Sequence, residues 1–207
     1  MNKSLCIACE YGNEIILKYL VENGADVNSE YNKYNILPLF IACRYGKEAI
    51  VKYLVEHQAN VIEKNEYGET ALFNAYKYGN EIIVNYLVEC GADINHQNMK
   101  KETPIYKACK SGNEVVVKYL VEHEVNINER CNFDGDTPLT VACQENNDAL
   151  VTYLVEHRGT VNKINERGDT PLYLASKNNN KRIMEYLTGH GATIHTIESR
   201  IKKLLYK

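Results

Sequence analysis

Two cysteines near the start of the chain have a spacing that could do chemistry. Cys6-Ile-Ala-Cys9 matches the Cys-x-x-Cys arrangement of redox-active dithiols and of zinc sites. Cys9 follows an alanine, however, and the same Ala-Cys pair recurs at Cys43, Cys109 and Cys143. Because a small residue at a repeated position is typical of close packing between helices, we interpret the pair as a packing feature and predict neither a metal site nor a cofactor.

Histidine, a common ligand and acid–base catalyst, also recurs at one position. His57, His123, His157 and His190 each stand one residue before the position at which the second helix of a repeat is predicted to end. The helix dipole favours a polar or cationic side chain there, so we interpret these histidines as helix caps. The sequence offers no carboxylate pair, no nucleophile beside a base and no glycine-rich phosphate loop outside the repeated positions. We therefore predict that the protein is not an enzyme.

These positions belong to two longer segments that recur together. One segment has the form Asp136-Thr-Pro-Leu-Thr-Val-Ala-Cys143, and the other has the form Lys118-Tyr-Leu-Val-Glu122. Copies of the first occupy 36–43, 69–76, 102–109, 136–143 and 169–176, with a degenerate copy at 3–9. Copies of the second occupy 18–22, 52–56, 85–89, 118–122 and 152–156. A fixed period of about 33 residues predicts an array of stacked supersecondary units.

The stretch from 65 to 95 shows what one unit should be. Gly68 supplies a turn, and Thr70 is predicted to cap a short helix that stops at Gly79. Asn80 is then predicted to cap a second helix, which ends before Gly91 and leads into a hairpin finger. Because two short helices and a finger cannot bury their apolar faces alone, such units are stable only when they stack.

The chain resembles the ankyrin-repeat family over nearly its whole length. The resemblance rests on the Thr-Pro-Leu-x-x-Ala segment, on the Gly-Asn link between helices and on the ending Leu-Val-Glu-x-Gly-Ala-Asp-x-Asn at 20–28 and 87–95. It implies an all-α ankyrin-repeat solenoid of helix-turn-helix pairs joined by β-hairpin or loop fingers. It also implies a non-catalytic protein–protein interaction module.

The sequence departs from the family pattern at two kinds of position. Where the family has histidine after Thr-Pro-Leu, this chain has Cys6, Phe40, Phe73, Tyr106, Thr140 and Tyr173, and aromatic packing is expected there. Lys101, Asn35, Asn146 and Asn179 stand at positions where the family has glycine, so a left-handed backbone is expected at them.

The resemblance implies one domain over 1–207, with repeats at about 1–31, 32–64, 65–97, 98–131, 132–164 and 165–195 and a C-terminal capping helix over 196–207. Arg182 and Thr188 give the last repeat a polar face. The first repeat keeps Ile7, Ile15 and Ile16 without polar replacements. Either this apolar start is tolerated or something covers it, and the alternative function is a spacer or docking segment of a larger assembly.

Composition limits the partner and the compartment. A net charge of −3, with 25% charged residues of both signs, gives no basic stripe for a phosphate backbone, so we predict no nucleic-acid binding. The N-terminal apolar run is too short for a signal peptide, and no stretch approaches the roughly 18 apolar residues of a membrane span. The odd number of cysteines, 7, favours reduced thiols in the cytoplasm or nucleus. We expect a monomer that is not secreted, with Cys131 as its most exposed thiol.

Tyrosine is the unusual feature of the composition, with 16 copies and no tryptophan. Six of them share one position of the second helix and are expected to pack together: Tyr19, Tyr53, Tyr86, Tyr119, Tyr153 and Tyr186. The others concentrate where the resemblance implies a partner-binding groove, at the fingers and the ends of the first helices. Ser111, Glu145 and Asn178 interrupt this second set. A relic of repeat duplication would run through all copies, so the interruption favours recognition.

The predicted groove has an aromatic half and an acidic half. Its candidate residues are Tyr11, Tyr34, Arg44, Tyr45, Tyr67, Lys77, Tyr78, Met99, Phe133, Asp134, Asp136, Glu145 and Asp169. Aromatic residues and arginine dominate interface hot spots because they bury a large area at low entropic cost. We therefore expect another protein to be anchored on the tyrosines, and the acidic half to steer a partner of basic character.

Overall fold

The computed structural model describes residues 2–30, 34 and 36–193, and these residues form twelve α-helices and no β-strand. The predicted capping helix over 196–207 lies outside the described residues. The chain divides into two compact units, Met1–Met99 and Lys100–Lys207. Helices come in pairs, and in the described residues the pairs are joined by loop fingers, whose turns are closed by hydrogen bonds such as that from the Gly68 N–H to the Asn65 carbonyl.

The first unit contains three helix pairs. They are α1 (Asn2–Tyr11) with α2 (Glu14–Glu22), α3 (Pro38–Arg44) with α4 (Glu48–Glu56), and α5 (Ala71–Tyr78) with α6 (Glu81–Glu89). The first helices pack in the order α1, α3, α5, and the second helices pack in the order α2, α4, α6. This arrangement makes two layers, with the apolar core between them.

The second unit repeats the arrangement. Its pairs are α7 (Pro104–Lys110) with α8 (Glu114–Glu122), α9 (Pro138–Gln144) with α10 (Asp148–Glu156), and α11 (Pro171–Lys177) with α12 (Lys181–Gly189). Here too the first helices pack in chain order, as do the second helices. Each leucine of the Tyr-Leu-Val-Glu segment in this unit is fully buried.

Side-chain caps begin most of these helices. Thr103, Thr137 and Thr170 each accept a hydrogen bond from the backbone N–H three residues later, and a proline follows each of them at the first helical position. Thr70 precedes α5 as predicted but makes no side-chain cap hydrogen bond. Asn80 caps α6 through the N–H of Ile83 at 3.1 Å, which confirms that prediction.

The predicted aromatic packing is present at the first helices. Phe40 and Phe73 are each 2% exposed, and Tyr106 is 8% exposed. Thr140 instead keeps a polar role, because it forms a reciprocal capping box with Thr137. At these positions the core is held by ring burial or by a buried hydroxyl network.

Asparagine side chains join successive fingers. The Asn28 side chain donates to the Gln58 carbonyl at 2.9 Å and accepts from the Asn60 N–H at 2.9 Å. Asn128 and Asn162 make the same pair of hydrogen bonds to the finger that follows them. Because each amide satisfies a donor and an acceptor of the next backbone, it fixes the spacing of adjacent fingers.

The backbone is left-handed at the expected non-glycine positions. Lys101, Asn146 and Asn179 have φ values of 54°, 58° and 55°, and Asn35 lies outside the described residues. Sequence analysis missed three more such residues, which follow the helix-capping histidines: Gln58, Glu124 and Arg158, with φ of 69°, 59° and 70°. Positive φ disfavours any residue with a Cβ, so these three positions carry strain.

The histidines are helix caps, as predicted. His57, His123, His157 and His190 are the C-cap residues of α4, α8, α10 and α12. Each ring nitrogen Nδ1 lies 2.8 Å from the backbone oxygen of the tyrosine four residues earlier. Each ring also packs against that tyrosine ring, with centroids 3.9–4.4 Å apart. These contacts end the helix and cover its last turn.

Glu124→Gly is expected to raise the free energy of unfolding by about 1 kcal/mol, because glycine adopts positive φ without strain. Urea unfolding followed by circular dichroism measures the change. Lys118→Gly, in the middle of α8, is the matched control and should lower the free energy of unfolding by about 1 kcal/mol. A Glu124→Gly protein no more stable than wild type would show that the loop already relieves the strain.

Candidate functional site

The ends of α3 and α5 bring four predicted residues together in the first unit. Arg44 is the last residue of α3 and Tyr45 is its C-cap, while Lys77 and Tyr78 end α5. Because α3 packs against α5, the period of the sequence places these two dipeptides side by side. Tyr45 and Tyr78 are each 44% exposed, so both rings can be reached by a partner.

These residues line a cavity of about 310 Å³. Its walls are Glu10, Ile36, Phe40, Ile41, Arg44, Tyr45, Asn65, Tyr67, Glu69, Asn74, Lys77 and Tyr78. Phe40 and Ile41 are buried and supply an apolar floor, while the tyrosines form the rim. We call Arg44, Tyr45, Tyr67, Lys77 and Tyr78 the tyrosine surface.

The two cations of the tyrosine surface lie over aromatic rings. The Arg44 guanidinium is 5.7 Å from the ring centroid of Tyr45 and 5.8 Å from that of Tyr78. The Lys77 ammonium is 5.2 Å from the Tyr78 centroid. Within the part of the chain that the structure describes, neither cation makes an ion pair with a carboxylate. Both charges are therefore held in place by rings while remaining free to meet an anion.

The carboxylates of the cavity are already engaged. Tyr45 Oη donates to Glu10 Oε1 at 2.9 Å, and this hydrogen bond is the main reason that the pKa of Tyr45 is raised. The Asn65 side-chain amide donates to Glu69 Oε2 at 3.5 Å. Both acids of the cavity therefore already have a hydrogen-bond partner within the chain.

The structure joins two further predicted residues to this region and leaves one apart. Tyr34 stacks on Tyr67, with ring centroids 6.3 Å apart and an interplanar angle of 19°. The Met99 N–H donates to the Tyr67 carbonyl at 3.0 Å, and the Met99 side chain is 69% exposed. Tyr11 is 77% exposed at the end of α1 but does not line the cavity.

Arg167 forms ion pairs with three of the four predicted acidic residues of the second unit: Asp134, Asp136 and Asp169. Arg167 lies 3.0 Å from an Asp134 oxygen and 3.4 Å from an Asp169 oxygen. Partial burial opposes its charge, but the carboxylates of Asp136 and Asp134 outweigh that effect and raise the pKa of Arg167. Arg130 makes an ion pair with Glu166. Arg167 therefore offsets one of the four predicted negative charges, and the steering of a basic partner stays a prediction.

Asp136 is a structural residue. Its side chain is 2% exposed, and its carboxylate accepts from Asn132 at 2.9 Å, Asn165 at 2.8 Å, Gln144 at 3.4 Å and Thr140 at 3.5 Å. The donors come from both fingers and from α9. A carboxylate surrounded in this way cannot meet a partner, although its place in the sequence put it among the groove residues.

Two predicted residues of the second unit remain, the aromatic Phe133 and the acidic Glu145, and both are exposed. Phe133 is 60% exposed, and the Lys101 ammonium lies 5.3 Å from its ring centroid. Glu145 is exposed at the C-cap of α9. Both residues belong to the second unit, whereas the tyrosine surface belongs to the first.

Comparison with known proteins identifies the family to which this architecture belongs. A family profile described as "Ankyrin repeats (3 copies)" matches residues 5–98, 83–165 and 126–198. The chain belongs to the ankyrin-repeat family. The human ASB11 ankyrin repeat domain, known from a crystal structure, is 32% identical, with a TM-score of 0.83 over 91% of this chain and 84% of that chain. No curated protein sequence matches the chain.

Membership of the family confirms the all-α ankyrin solenoid that the repeats predicted. Ankyrin repeats in general bind other proteins and are not catalytic. No helix in the described residues combines the length and the apolar character needed to cross a bilayer.

Six of the seven cysteines of this ankyrin chain are buried, and Cys90 is partly exposed. Cys6 and Cys9 are 1% and 0% exposed. Burial raises the pKa of Cys6 to about 12, and burial together with the neighbouring Cys6 raises the pKa of Cys9 further. The prediction that Cys131 is exposed is wrong. Its side chain is 2% exposed because the thiol turns under the finger and donates to the Asp136 carbonyl at 3.0 Å.

Sequence analysis missed the asparagines that shape the ankyrin fingers. Asn65 Oδ1 accepts from the N–H groups of Tyr67 and Glu69, each at 2.9 Å. Asn165 makes the same two contacts with the N–H groups of Arg167 and Asp169, at 3.0 and 2.9 Å. The signal was present, because an asparagine precedes the acidic residue by four positions in both fingers. The Asn65 amide thereby holds the finger position that presents Tyr67.

Proposed function

We propose that this ankyrin chain binds a segment of another protein on the tyrosine surface of its first unit. The observation that carries the proposal is the cavity of about 310 Å³, in which an apolar floor meets three exposed tyrosine rings and two cations. The described residues supply neither cation with a carboxylate partner. Rings that are partly exposed bury a large area on binding at low entropic cost. The proposed role is binding alone, so it requires no catalytic group in the cavity.

The partner segment should contribute an acidic side chain beside an aromatic or aliphatic one. Arg44 and Lys77 would receive the carboxylate, because the acids in the same cavity are already hydrogen-bonded within the chain. The apolar side chain would lie over Phe40 between Tyr45 and Tyr78. Charge-assisted hydrogen bonds to arginine are stronger than neutral ones and would set the orientation of the bound segment.

Selection of a display library of random peptides on the purified protein tests this proposal. We expect enriched peptides to pair Asp or Glu with a nearby aromatic or aliphatic residue. Tyr45→Ala combined with Tyr78→Ala, and separately Arg44→Glu, should each weaken binding of such a peptide about tenfold or more.

Two controls separate recognition from folding. Ile82→Ala removes exposed apolar surface elsewhere in the same unit, and Lys181→Glu reverses an exposed charge on α12. Both variants should bind as wild type does. Enriched peptides that lack an acid, or that still bind the Arg44→Glu protein, would refute the assignment of Arg44. Affinity capture from native extract with wild type and the tyrosine double variant would then identify the natural partner.

A further inference from the structure

The start of the first unit exposes a second apolar surface, away from the tyrosine surface. It consists of Ile7 on α1 with Ile16, Tyr19 and Leu20 on α2, and we call it the end face. Ile7, Ile16 and Tyr19 are 41%, 48% and 64% exposed, and Leu20 is half-buried. The chain presents there a cluster of large apolar side chains that water contacts.

The residues at the position of Ile16 are buried in later repeats. One repeat on, the residue equivalent to Ile16 is Ile50, which is 1% exposed, and the next equivalent is Ile83, also 1% exposed. In the second unit, Leu150 and Ile183 are 0% and 1% exposed. Each of these residues lies on a second helix that packs against the second helix of the preceding pair: α4 on α2, α6 on α4, α10 on α8 and α12 on α10. What covers this face within each unit is therefore a preceding helix pair.

Each covering second helix places polar side chains near the tyrosine of the helix pair that it covers. Lys18 of α2 lies 5.7 Å from the ring centroid of Tyr53 on the next pair. Burial, and after it the negative charge of Glu22 on the same helix, raises the pKa of Tyr53. The pattern recurs in two other copies of the repeat. There Lys52 lies 5.9 Å from the ring centroid of Tyr86, and Lys118 lies 5.7 Å from that of Tyr153. Burial raises the pKa of both tyrosines, and the charges of Glu56 and Glu122 contribute to the shift. In these three copies, a lysine thus lies over the tyrosine ring of the following helix pair, and a glutamate four residues later on the same helix affects the pKa of that tyrosine.

Tyr19 stands at the position of these tyrosines, but within the described residues no cation lies over its ring. We propose that the end face is a docking site for a helix pair of a partner protein, whose second helix places a Lys and a Glu four residues apart around Tyr19. The apolar ridge of that pair covers Ile7, Ile16 and Leu20. The end face takes a folded helix pair, whereas the tyrosine surface takes a single segment.

Ile15 does not belong to the end face, although it is the most exposed apolar residue of α2. Its equivalents remain exposed in later repeats, as shown by Ile82 at 55% and Val115 at 49%. Ile82 therefore gives a matched control. It is a large apolar residue in the first turn of α6, as Ile16 is in the first turn of α2, and Asp is favourable in the first turn of either helix.

The test uses a helix pair of known structure as the probe. A copy of residues 36–68, which carries α3, α4 and their finger, is fused to the N-terminus of the full chain. We expect the extended chain to have a higher urea midpoint than the original chain. Ile16→Asp should remove most of that gain while changing the midpoint of the original chain little, and Tyr19→Ser should act in the same direction. Changing the copied Lys52 to Glu should reduce the gain.

Other results would overturn the proposal. If the added helix pair does not raise the midpoint, or if Ile16→Asp and Ile82→Asp have the same effect in the extended chain, the end face does not accept such a unit. The original chain is expected to sediment as a monomer. A dimer that Ile16→Asp dissociates and Ile82→Asp does not would make a second copy of this chain the occupant.

Discussion

Asp136→Ala is expected to lower the free energy of unfolding by about 3 kcal/mol, although Asp136 lies in a finger. The carboxylate is buried and is the shared acceptor for side chains of two successive fingers, Asn132 and Asn165. Alanine removes that acceptor but leaves both amides in place. Because a buried donor without a partner loses its hydration as well as its hydrogen bond, the cost exceeds that of one exposed ion pair.

Neighbouring acids provide the matched controls for this measurement. Asp134→Ala and Asp169→Ala remove carboxylates that contact the same Arg167 from more exposed positions, and each should cost less than about 1 kcal/mol. Asp136→Asn should fall between these results, because its amide oxygen can still accept from one of the two asparagines. Equal losses for Asp136→Ala and Asp134→Ala in urea unfolding would mean that the buried network contributes no more than the exposed ion pair.

The parts of the fold that follow from periodicity could be predicted from the sequence. Thr103, Asn80 and Gly79 begin or end helices for local reasons, and those reasons recur with every repeat. The neighbours Arg44, Tyr45, Lys77 and Tyr78 were predictable in the same way, since residues one period apart on packed helices must lie side by side. Local chemistry and a fixed period together determine such positions.

Residues whose environment depends on contacts between fingers could not be predicted in this way. The sequence predicts one acidic surface around Asp136 because the repeat pattern assigns every finger position to the groove. It does not tell which side chains turn inward. Asn165 reaches Asp136 across 29 positions of sequence, and Arg167 reaches Asp134 across a similar distance. Cys131 is buried for the same reason, since its thiol follows the turn that Asp136 anchors.

Leucine positions measure how far the helix pairs depend on their neighbours. Leu54 and Leu20 occupy the same place in successive second helices, but Leu54 is fully buried and Leu20 is half-buried at the end face. Leu54→Ala is expected to cost about 3 kcal/mol, since it leaves a cavity between two packed pairs, and Leu20→Ala about 1 kcal/mol. Unfolding in urea, monitored by circular dichroism, compares the two variants.

The difference between these two losses reports on the state of the end face in solution. When nothing covers the end face, part of the Leu20 side chain is exposed to solvent. Truncating Leu20 therefore removes less buried apolar area than truncating Leu54 does. A Leu20→Ala loss equal to that of Leu54→Ala would mean that the end face is covered in the chain alone. The same variant in the chain extended by residues 36–68 should cost more than in the original chain, because the added helix pair buries Leu20 as α2 buries Leu54.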